Sequence, residues 1–218
     1  MHQANTATAS TTDAITGLVL CGGRGSRMGG VDKGLQPYLG QPLAAHALRR
    51  LQAQVGRCWI NANRNLAQYA ALGVPVCTDK QSSVSAQLGD YPGPLAGWLA
   101  ALEQCPTPYL MTVPCDSPLF PADLVQRLAD AMVAEDADLA LAATIEAGAA
   151  QTQPVFCLMR TRLAPSLADF LLAGQRKIDR WTAGQRQAVV LFEDAGAFFN
   201  ANTLEDLAAL HSSDPQAG

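Results

Sequence analysis

Apolar segments along the chain alternate between short strand-like runs and longer helix-like segments. The run 15–20 is almost continuously apolar, which is typical of a strand buried on both faces. The segment from Pro42 to about Val55 instead places leucines and alanines on one helical face, and proline suits its first position. Because this alternation continues over the first 145 residues, we predict an α/β fold with a mostly parallel sheet covered by helices on both faces.

The same pattern predicts the other elements. Further strands are predicted at 58–61, 74–77, 109–113 and 138–144, with additional candidates at 154–159, 187–191 and 197–199. Helices are predicted at 66–72, 95–104, 121–135, 162–172 and 203–210. Residues 80–89 are polar and are predicted to be irregular.

Both ends of the chain are polar. Residues 1–13 have neither the basic nor the apolar segment of a secretory signal, and residues 212–218 are equally polar, so both are predicted to be disordered tails. The sequence between them contains no internal repeat and no long linker. We therefore expect a single domain over residues 14–211.

Composition and charge narrow the class of protein. Hydrophobic residues make up 49% of the 218-residue chain and charged residues 16%, which favours a packed core over disorder. The formal net charge is −4, so no basic excess indicates nucleic-acid binding, and no run of eighteen apolar residues indicates a membrane span. We expect a cytoplasmic protein in which any bound polyanion needs a local basic site.

Cysteine and histidine usage argues against a zinc site. The six cysteines show no C-x-x-C spacing, and the three histidines are scattered along the sequence. Most cysteines lie in apolar runs, so we expect buried free thiols, as in a cytosolic protein.

The segment 20–34 follows the first predicted strand and concentrates glycine with positive charge. It contains six glycines, two arginines and one lysine. Glycine lets several backbone N–H groups approach a ligand, and arginine and lysine bind phosphate oxygens. The segment matches neither common phosphate loop: Val31 stands where the Walker A lysine should be, and Met28 replaces the third glycine of the dinucleotide fingerprint. An ordinary P-loop ATPase or dehydrogenase is therefore disfavoured.

Polar residues also follow the next predicted strands. They are Asn61 to Asn63, Asp79 and the pair Cys115–Asp116. Ligands of parallel sheets bind at the carboxyl ends of the strands, so we expect these residues to lie beside the glycine-rich loop.

The loop and four later blocks carry a resemblance to a known family. The pattern L-x-G-G-x-x-x-R-M-G-G-x-D-K-G-L, followed by G-x-P-L, is similar to the signature of molybdenum cofactor guanylyltransferases, the MobA family. Similar blocks follow in family order at 61–64, 90–97, 114–118 and 200–207. The resemblance implies a Rossmann-like three-layer sandwich, with a nucleotide-binding part at about 14–118 and an acceptor-binding part at about 119–211.

The resemblance implies transfer of GMP from GTP to the terminal phosphate of molybdenum-molybdopterin, with release of pyrophosphate. It implies Mg²⁺ as cofactor, with Asp116 as its ligand. The implied catalytic residues are Arg27, Lys33 and Asp116. The implied GTP-binding residues are Leu20, Cys21, Gly22, Gly23, Lys33, Asn61, Asp79, Asp90 and Asp116, and the implied acceptor-binding residues are Asn200 and Asn202.

The chemistry of the reaction needs residues of these types. Two polyanions must meet, so cations such as Arg27 and Lys33 would neutralise charge at the phosphates. A carboxylate such as Asp79 can accept hydrogen bonds from the N1–H and amino groups of guanine.

Several of these residues have structural alternatives. Lys33 could pair with Asp32, and Asp79 could be a turn residue. Asp90 and Asn202 could cap the helices that follow them. Some members of the family carry histidine where this chain has Gln153, which puts a catalytic role for that position in doubt.

Three further functions are compatible with the same loop. They are a molybdopterin cytidylyltransferase using CTP, a sugar-1-phosphate nucleotidyltransferase, and a nucleotide-binding regulator without catalysis. The resemblance also implies possible protein partners, namely a molybdenum-insertion enzyme or a molybdoenzyme chaperone. Neither nucleic acid nor a membrane is expected as a partner.

Overall fold

The computed structural model describes residues 11–22, 32–88, 93–146, 148–201 and Asp206. The strands are β1 Ile15–Leu20, β2 Pro37–Tyr38, β3 Gln41–Pro42, β4 Arg57–Asn61, β5 Val76–Cys77, β6 Tyr109–Pro114, β7 Leu139–Glu146, β8 Ala149–Arg160 and β9 Gln187–Phe192. The α-helices are α1 Leu43–Gln52, α2 Leu66–Ala70, α3 Ser85–Leu88, α4 Pro94–Gln104, α5 Leu124–Ala134, α6 Ala164–Leu172 and α7 Ile178–Thr182. Short 3₁₀ turns lie at Thr11–Ala14, Lys33–Leu35, Asp79–Gln81, Thr161–Leu163 and Ala195–Phe198.

Seven strands form one sheet in the order β5-β4-β1-β6-β8-β7-β9. Strand β8 runs antiparallel to β6 and β7, and the other pairings in this sheet are parallel. All six residues of β1 are buried, as the continuous apolar run predicts for a central strand. The predicted mostly parallel α/β sheet is confirmed.

Helices cover both faces of the sheet. On one face, α1 and α5 share a core whose buried leucines include Leu48, Leu51, Leu124 and Leu128. On the other face, α4, α6 and α7 share a second core that includes Leu95, Trp98, Leu167, Leu171 and Trp181. The three-layer sandwich is therefore confirmed, and the two faces can be told apart by the helices that cover them.

Two predicted elements differ from the structure near the end of the chain. The predicted strand at 197–199 is instead part of the 3₁₀ turn Ala195–Phe198, because the Asp194 carboxylate accepts a hydrogen bond from the Ala197 N–H and closes the turn. Phe198 is buried, with its ring 4.9 Å from that of Phe156, so the run is apolar because it fills the core. The predicted helix at 203–210 lies outside the described residues, apart from Asp206.

Other boundaries differ for local reasons. Strand β8 begins at Ala149, earlier than the predicted 154, because it pairs with β7 in a long hairpin with a register shift after Leu141. The prediction that residues 80–89 are irregular was wrong at α3, where Leu88 is the one buried residue of the helix. Helix α7 was not predicted either, since its polar sequence shows no helical apolar period.

The cysteines are free thiols, and all but Cys105 are buried. Burial raises the pKa of Cys58 to about 12, and mainly burial raises the pKa of Cys77 to about 11. Both are therefore protonated at neutral pH. No helix within the described part of the chain is long and apolar enough to cross a membrane.

Asp138 joins three arginines at the edge of the sheet opposite the carboxyl end of β6. The Arg186 Nε lies 3.0 Å from Oδ2, Arg162 donates to Oδ1, and the Arg160 Nε lies 3.8 Å from Oδ1. Hydrogen bonds from Arg186 and then Arg162 lower the pKa of Asp138 to about 2. The ionised carboxylate is thus favoured in the folded protein.

We expect Asp138→Asn to lower the free energy of unfolding by about 1 kcal/mol at pH 7, a modest loss because two of the arginines are exposed and screened. The pKa of the folded state lies below that of an unfolded aspartate, so this contribution is present above about pH 4 and is lost as the pH falls towards 2. Urea unfolding of both proteins between pH 2 and pH 7 measures it. Asp169→Asn, at an exposed position of α6, serves as control; an Asp138 difference that stays constant down to pH 2 would contradict the assignment.

Candidate active site

The predicted site residues lie at one edge of the sheet, at the carboxyl ends of β1, β4, β5 and β6. Leu20 lies beside Asn61 in β4 and Pro114 in β6, and Asn61 lies beside Cys77 in β5. The Cys21 N–H donates to the Asn61 carbonyl at 2.8 Å, which extends the pairing past the end of β1. The segment leading into the glycine-rich loop is therefore held between two strand ends.

Asn61 and Asp79 form a hydrogen-bonded pair on the face covered by α4. The Asn61 Nδ2 donates to the Asp79 Oδ1 at 2.9 Å, and the Asp79 N–H donates to the Asn63 Oδ1 at 3.0 Å. Asn61 is only 2% exposed. A Cβ at Gly97 would collide with the Asn61 Oδ1, so α4 can approach this closely only with glycine there.

Burial raises the pKa of Asp79, and the hydrogen bonds from Asn61 and Asn63 partly oppose that rise. Asp79 also begins a 3₁₀ turn preceded by Thr78. Asp79 is therefore a turn residue, as the alternative from sequence suggested. The turn holds its carboxylate beside Asn61, and this position is compatible with a ligand contact.

Lys33 points towards the end of β6. Its Nζ lies 3.4 Å from the Asp116 Oδ2, and both side chains remain partly exposed, at 22% and 18%. A cation and a carboxylate therefore face each other beside the loop, where both can be reached by a ligand.

Asp32, the alternative partner for Lys33, is occupied elsewhere. Its carboxylate accepts hydrogen bonds from the Tyr69 Oη at 2.5 Å and the Asn65 Nδ2 at 2.9 Å, and the Arg64 Nε lies 3.9 Å away. Asp32 is 8% exposed, so this carboxylate is buried and depends on these partners. We call Asp32, Asn65 and Tyr69 the loop anchor.

The loop anchor fixes the returning end of the glycine-rich loop. Tyr69 is fully buried, and burial, with a smaller effect of the hydrogen bond to Asp32, raises its pKa, so its hydroxyl remains a donor. A Cβ at Gly34 would lie 2.5 Å from the Tyr69 Oη, which explains why glycine follows Lys33. The anchor was not predicted: Tyr69 lies in an ordinary amphipathic helix, and nothing in its spacing points to Asp32.

The segment at the end of the described chain lies against Asp116. The Ala201 N–H donates to the Asp116 carbonyl at 2.8 Å, and the buried Ser117 donates through Oγ to the Asn200 Oδ1 at 2.7 Å. The structure thus brings the predicted acceptor residue Asn200 next to the predicted metal ligand.

Of the predicted site residues, the structure brings Leu20, Cys21, Gly22, Lys33, Asn61, Asp79, Asp116 and Asn200 together at this edge. The other four, Gly23, Arg27, Asp90 and Asn202, lie outside the described residues, and their roles stay predictions.

Asp116 fits a magnesium site of the kind completed by a substrate. No group of three or more potential metal-binding side chains occurs among the described residues. Magnesium is commonly held by one or two carboxylates together with water and substrate phosphates, so a single accessible carboxylate suits that mode of binding.

Comparison with known proteins assigns the chain to a family. The family model of the MobA-like NTP transferase domain matches residues 17–189. The molybdenum cofactor guanylyltransferase of Bordetella petrii is 60% identical over 196 residues, covering 90% of this chain and 96% of the relative. That of Cupriavidus metallidurans is 56% identical over 207 residues, covering 94% and 98%.

Solved structures agree on the fold. The molybdopterin-guanine dinucleotide biosynthesis protein A of Archaeoglobus fulgidus superposes with a TM-score of 0.69 at 20% identity, covering 91% of this chain and 97% of that one. The chain belongs to the MobA-like NTP transferase family and is a nucleotidyltransferase. The family predicted from the sequence blocks is confirmed.

We expect Tyr69→Phe to weaken nucleoside triphosphate binding about tenfold, because Asp32 loses a buried hydrogen-bond donor and Lys33 loses its fixed position. Isothermal titration with GTP and Mg²⁺ measures the dissociation constant, and thermal unfolding measures stability.

Tyr109→Phe is the matched control, since it removes a hydroxyl that accepts a hydrogen bond from Arg160 at the opposite end of β6. It should alter stability alone. Equal GTP affinities for the two variants would show that the loop anchor has only a structural role.

Proposed function

We propose that this chain transfers GMP from GTP to the terminal phosphate of molybdenum-molybdopterin and releases pyrophosphate. The observation that carries the proposal is the accessible Lys33–Asp116 pair beside a glycine-rich loop at the carboxyl edge of the sheet. The names of relatives that are 56–60% identical over most of the chain support the guanylyl donor and the molybdenum cofactor as acceptor.

The reaction joins two anions, so charge neutralisation is the main task of the site. An oxygen of the acceptor phosphate attacks the α-phosphorus of GTP, and the bond to the β-phosphate oxygen breaks as pyrophosphate leaves. Lys33 would stabilise the charge on the reacting phosphates, and backbone N–H groups of the loop would hold the triphosphate. Arg27 is proposed for the same task from its position in the sequence motif.

Asp116 would hold Mg²⁺, which would offset the negative charge of the phosphates during transfer. The carboxylate suits this role because it is partly exposed and lies two residues after the end of β6. Lys33 beside it adds a second positive charge without needing to be a metal ligand. Asn200, held by Ser117, is proposed to contact the acceptor from the other side of Asp116.

Asp79 is proposed to select guanine. Because Asn61 donates to its Oδ1, the carboxylate is oriented rather than free to rotate. A fixed carboxylate accepts well from the adjacent N1–H and amino groups of guanine, and neither cytosine nor adenine offers that pair of donors. Delivery of the acceptor by a molybdenum-insertion enzyme, or contact with a molybdoenzyme chaperone, stays a prediction from the resemblance.

With Mg²⁺ and the molybdenum-loaded acceptor, we expect GTP to be used with a kcat/KM about 100-fold above CTP or ATP, because a site that hydrogen-bonds a base rejects bases lacking the donors. Pyrophosphate release and formation of the dinucleotide product measure it. A preference for CTP would overturn the guanylyl assignment in favour of a cytidylyltransferase. Transfer to a sugar 1-phosphate would indicate a sugar-1-phosphate nucleotidyltransferase, and GTP binding without any transfer would indicate a nucleotide-binding regulator.

We expect Asp116→Asn to raise the Mg²⁺ concentration needed for half-maximal activity about tenfold or more, because an amide lacks the negative charge that attracts the cation. A Mg²⁺ titration at saturating GTP measures the shift. Asp123→Asn, which alters a carboxylate 61% exposed at the start of α5, is the control. An unchanged titration for Asp116→Asn would remove this residue from the metal site.

A further inference from the structure

Three polar side chains form a closed hydrogen-bond network on the β7–β8 hairpin. The Gln153 Nε2 donates to the Thr144 Oγ1 at 3.1 Å and to the Glu146 Oε1 at 3.0 Å, and the Thr144 Oγ1 donates to the same Glu146 oxygen at 3.2 Å. Thr144 is buried, whereas Glu146 is exposed. We call these residues the hairpin triad.

The hairpin triad lies at the same edge of the sheet as Asp116. Strand β8 is the neighbour of β6, with Thr112 beside Cys157, and the Thr112 Oγ1 donates to the Val155 carbonyl beyond that pair. From there β8 continues past the end of β6 to Gln153. Neighbouring strands are about 4.8 Å apart. Measured across the sheet, Gln153 on β8 is therefore one strand from β6, and Glu146 on β7 is two strands, or about 10 Å, from β6.

The triad also shares a face with the segment that carries Asn200. Side chains alternate along β7, so Ala142, Thr144 and Glu146 point to one side. Ala142 belongs to the core that contains Phe198, two residues before Asn200. The triad and the segment before Asn200 therefore lie on the same face of the sheet, opposite the face that carries α4 and Asn61.

The network leaves two acceptors in fixed positions. Both bonds that Gln153 makes within the triad come from its Nε2, which leaves the amide Oε1 as an acceptor. The Glu146 Oε1 accepts both bonds within the triad, which leaves Oε2. Neither Gln153 Oε1 nor Glu146 Oε2 accepts a hydrogen bond from another residue in the part of the chain that the structure describes. A ligand suited to them presents adjacent N–H donors and no negative charge.

We propose that the hairpin triad binds the pterin ring of the acceptor through its 2-amino-4-oxopyrimidine edge. This inference rests on the proposed function. The ring offers a ring N–H next to an exocyclic amino group, which matches an amide oxygen and a carboxylate. The negative charge of Glu146 would repel the acceptor's phosphate, so the ring end lies here and the phosphate end lies at Lys33.

Glu146→Gln is the sharpest test. The oxygen of the new amide can still accept the hydrogen bond from Gln153, but an N–H₂ donor replaces the second carboxylate oxygen that would accept from the ring. We expect the KM for molybdenum-molybdopterin to rise about tenfold, with the KM for GTP and the melting temperature unchanged. Glu146→Ala should act similarly. Glu135→Ala, at an exposed glutamate after α5, should change none of these values.

Binding without turnover separates this inference from the proposed function. Metal-free molybdopterin is titrated into each variant and its fluorescence is followed, which needs neither GTP nor transfer. A dissociation constant about tenfold higher for Glu146→Gln and Glu146→Ala supports the triad even if another nucleotide proves to be the donor. Equal dissociation constants for wild type and both variants would overturn the inference. It would also be overturned if the variants bound GTP more weakly while their binding of molybdopterin was unchanged.

Discussion

Strand β1 pairs in parallel with β4 on one side and with β6 on the other, and the three strands end at the same level. The candidate active site depends on that register. It sets Cys21 beside Asn61 and brings Asp116 to the edge where Lys33 returns from the loop. Because β1 is buried on both faces, a slip of one residue would exchange the side chains that face the two cores, moving Leu18 and Leu20 into the core that now holds Ile15 and Val19.

The buried carboxylate of Asp32 influences which charged groups at this edge of the sheet can be reached by a ligand. Asp32 and Lys33 are adjacent in the chain, yet the loop anchor satisfies Asp32 through Tyr69 and Asn65, while Lys33 faces Asp116. A buried carboxylate without partners would be costly, and a flexible lysine beside it would be the easiest partner. The tyrosine and asparagine therefore help to leave Lys33 at the accessible edge.

Those parts of the site that lie at strand ends could be predicted from the sequence. Those that depend on contacts between residues far apart in the sequence could not. Apolar runs located β1, β4 and β6, and the rule that ligands bind at carboxyl ends then grouped Asn61, Asp79 and Asp116. Tyr69 and Glu146 follow no such rule, because their partners are set by how a helix and a hairpin meet the sheet. The strand prediction at the turn Ala195–Phe198 was wrong for a related reason: an apolar run reports burial and not backbone conformation.

The distribution of charge suits the proposed binding of polyanions by a chain of net charge −4. A carboxylate near phosphates is unfavourable unless a cation offsets its charge, and at Asp116 the Lys33 Nζ lies 3.4 Å from the carboxylate. Asp79 and Glu146 lie on opposite faces of the sheet, on either side of that centre. Salt screens exposed charges beyond about 8 Å at physiological ionic strength, and Glu146 stands about 10 Å from the line of β6. The proposed contact of Glu146 with a ring is therefore compatible with the positive charge that the proposed mechanism places at Lys33.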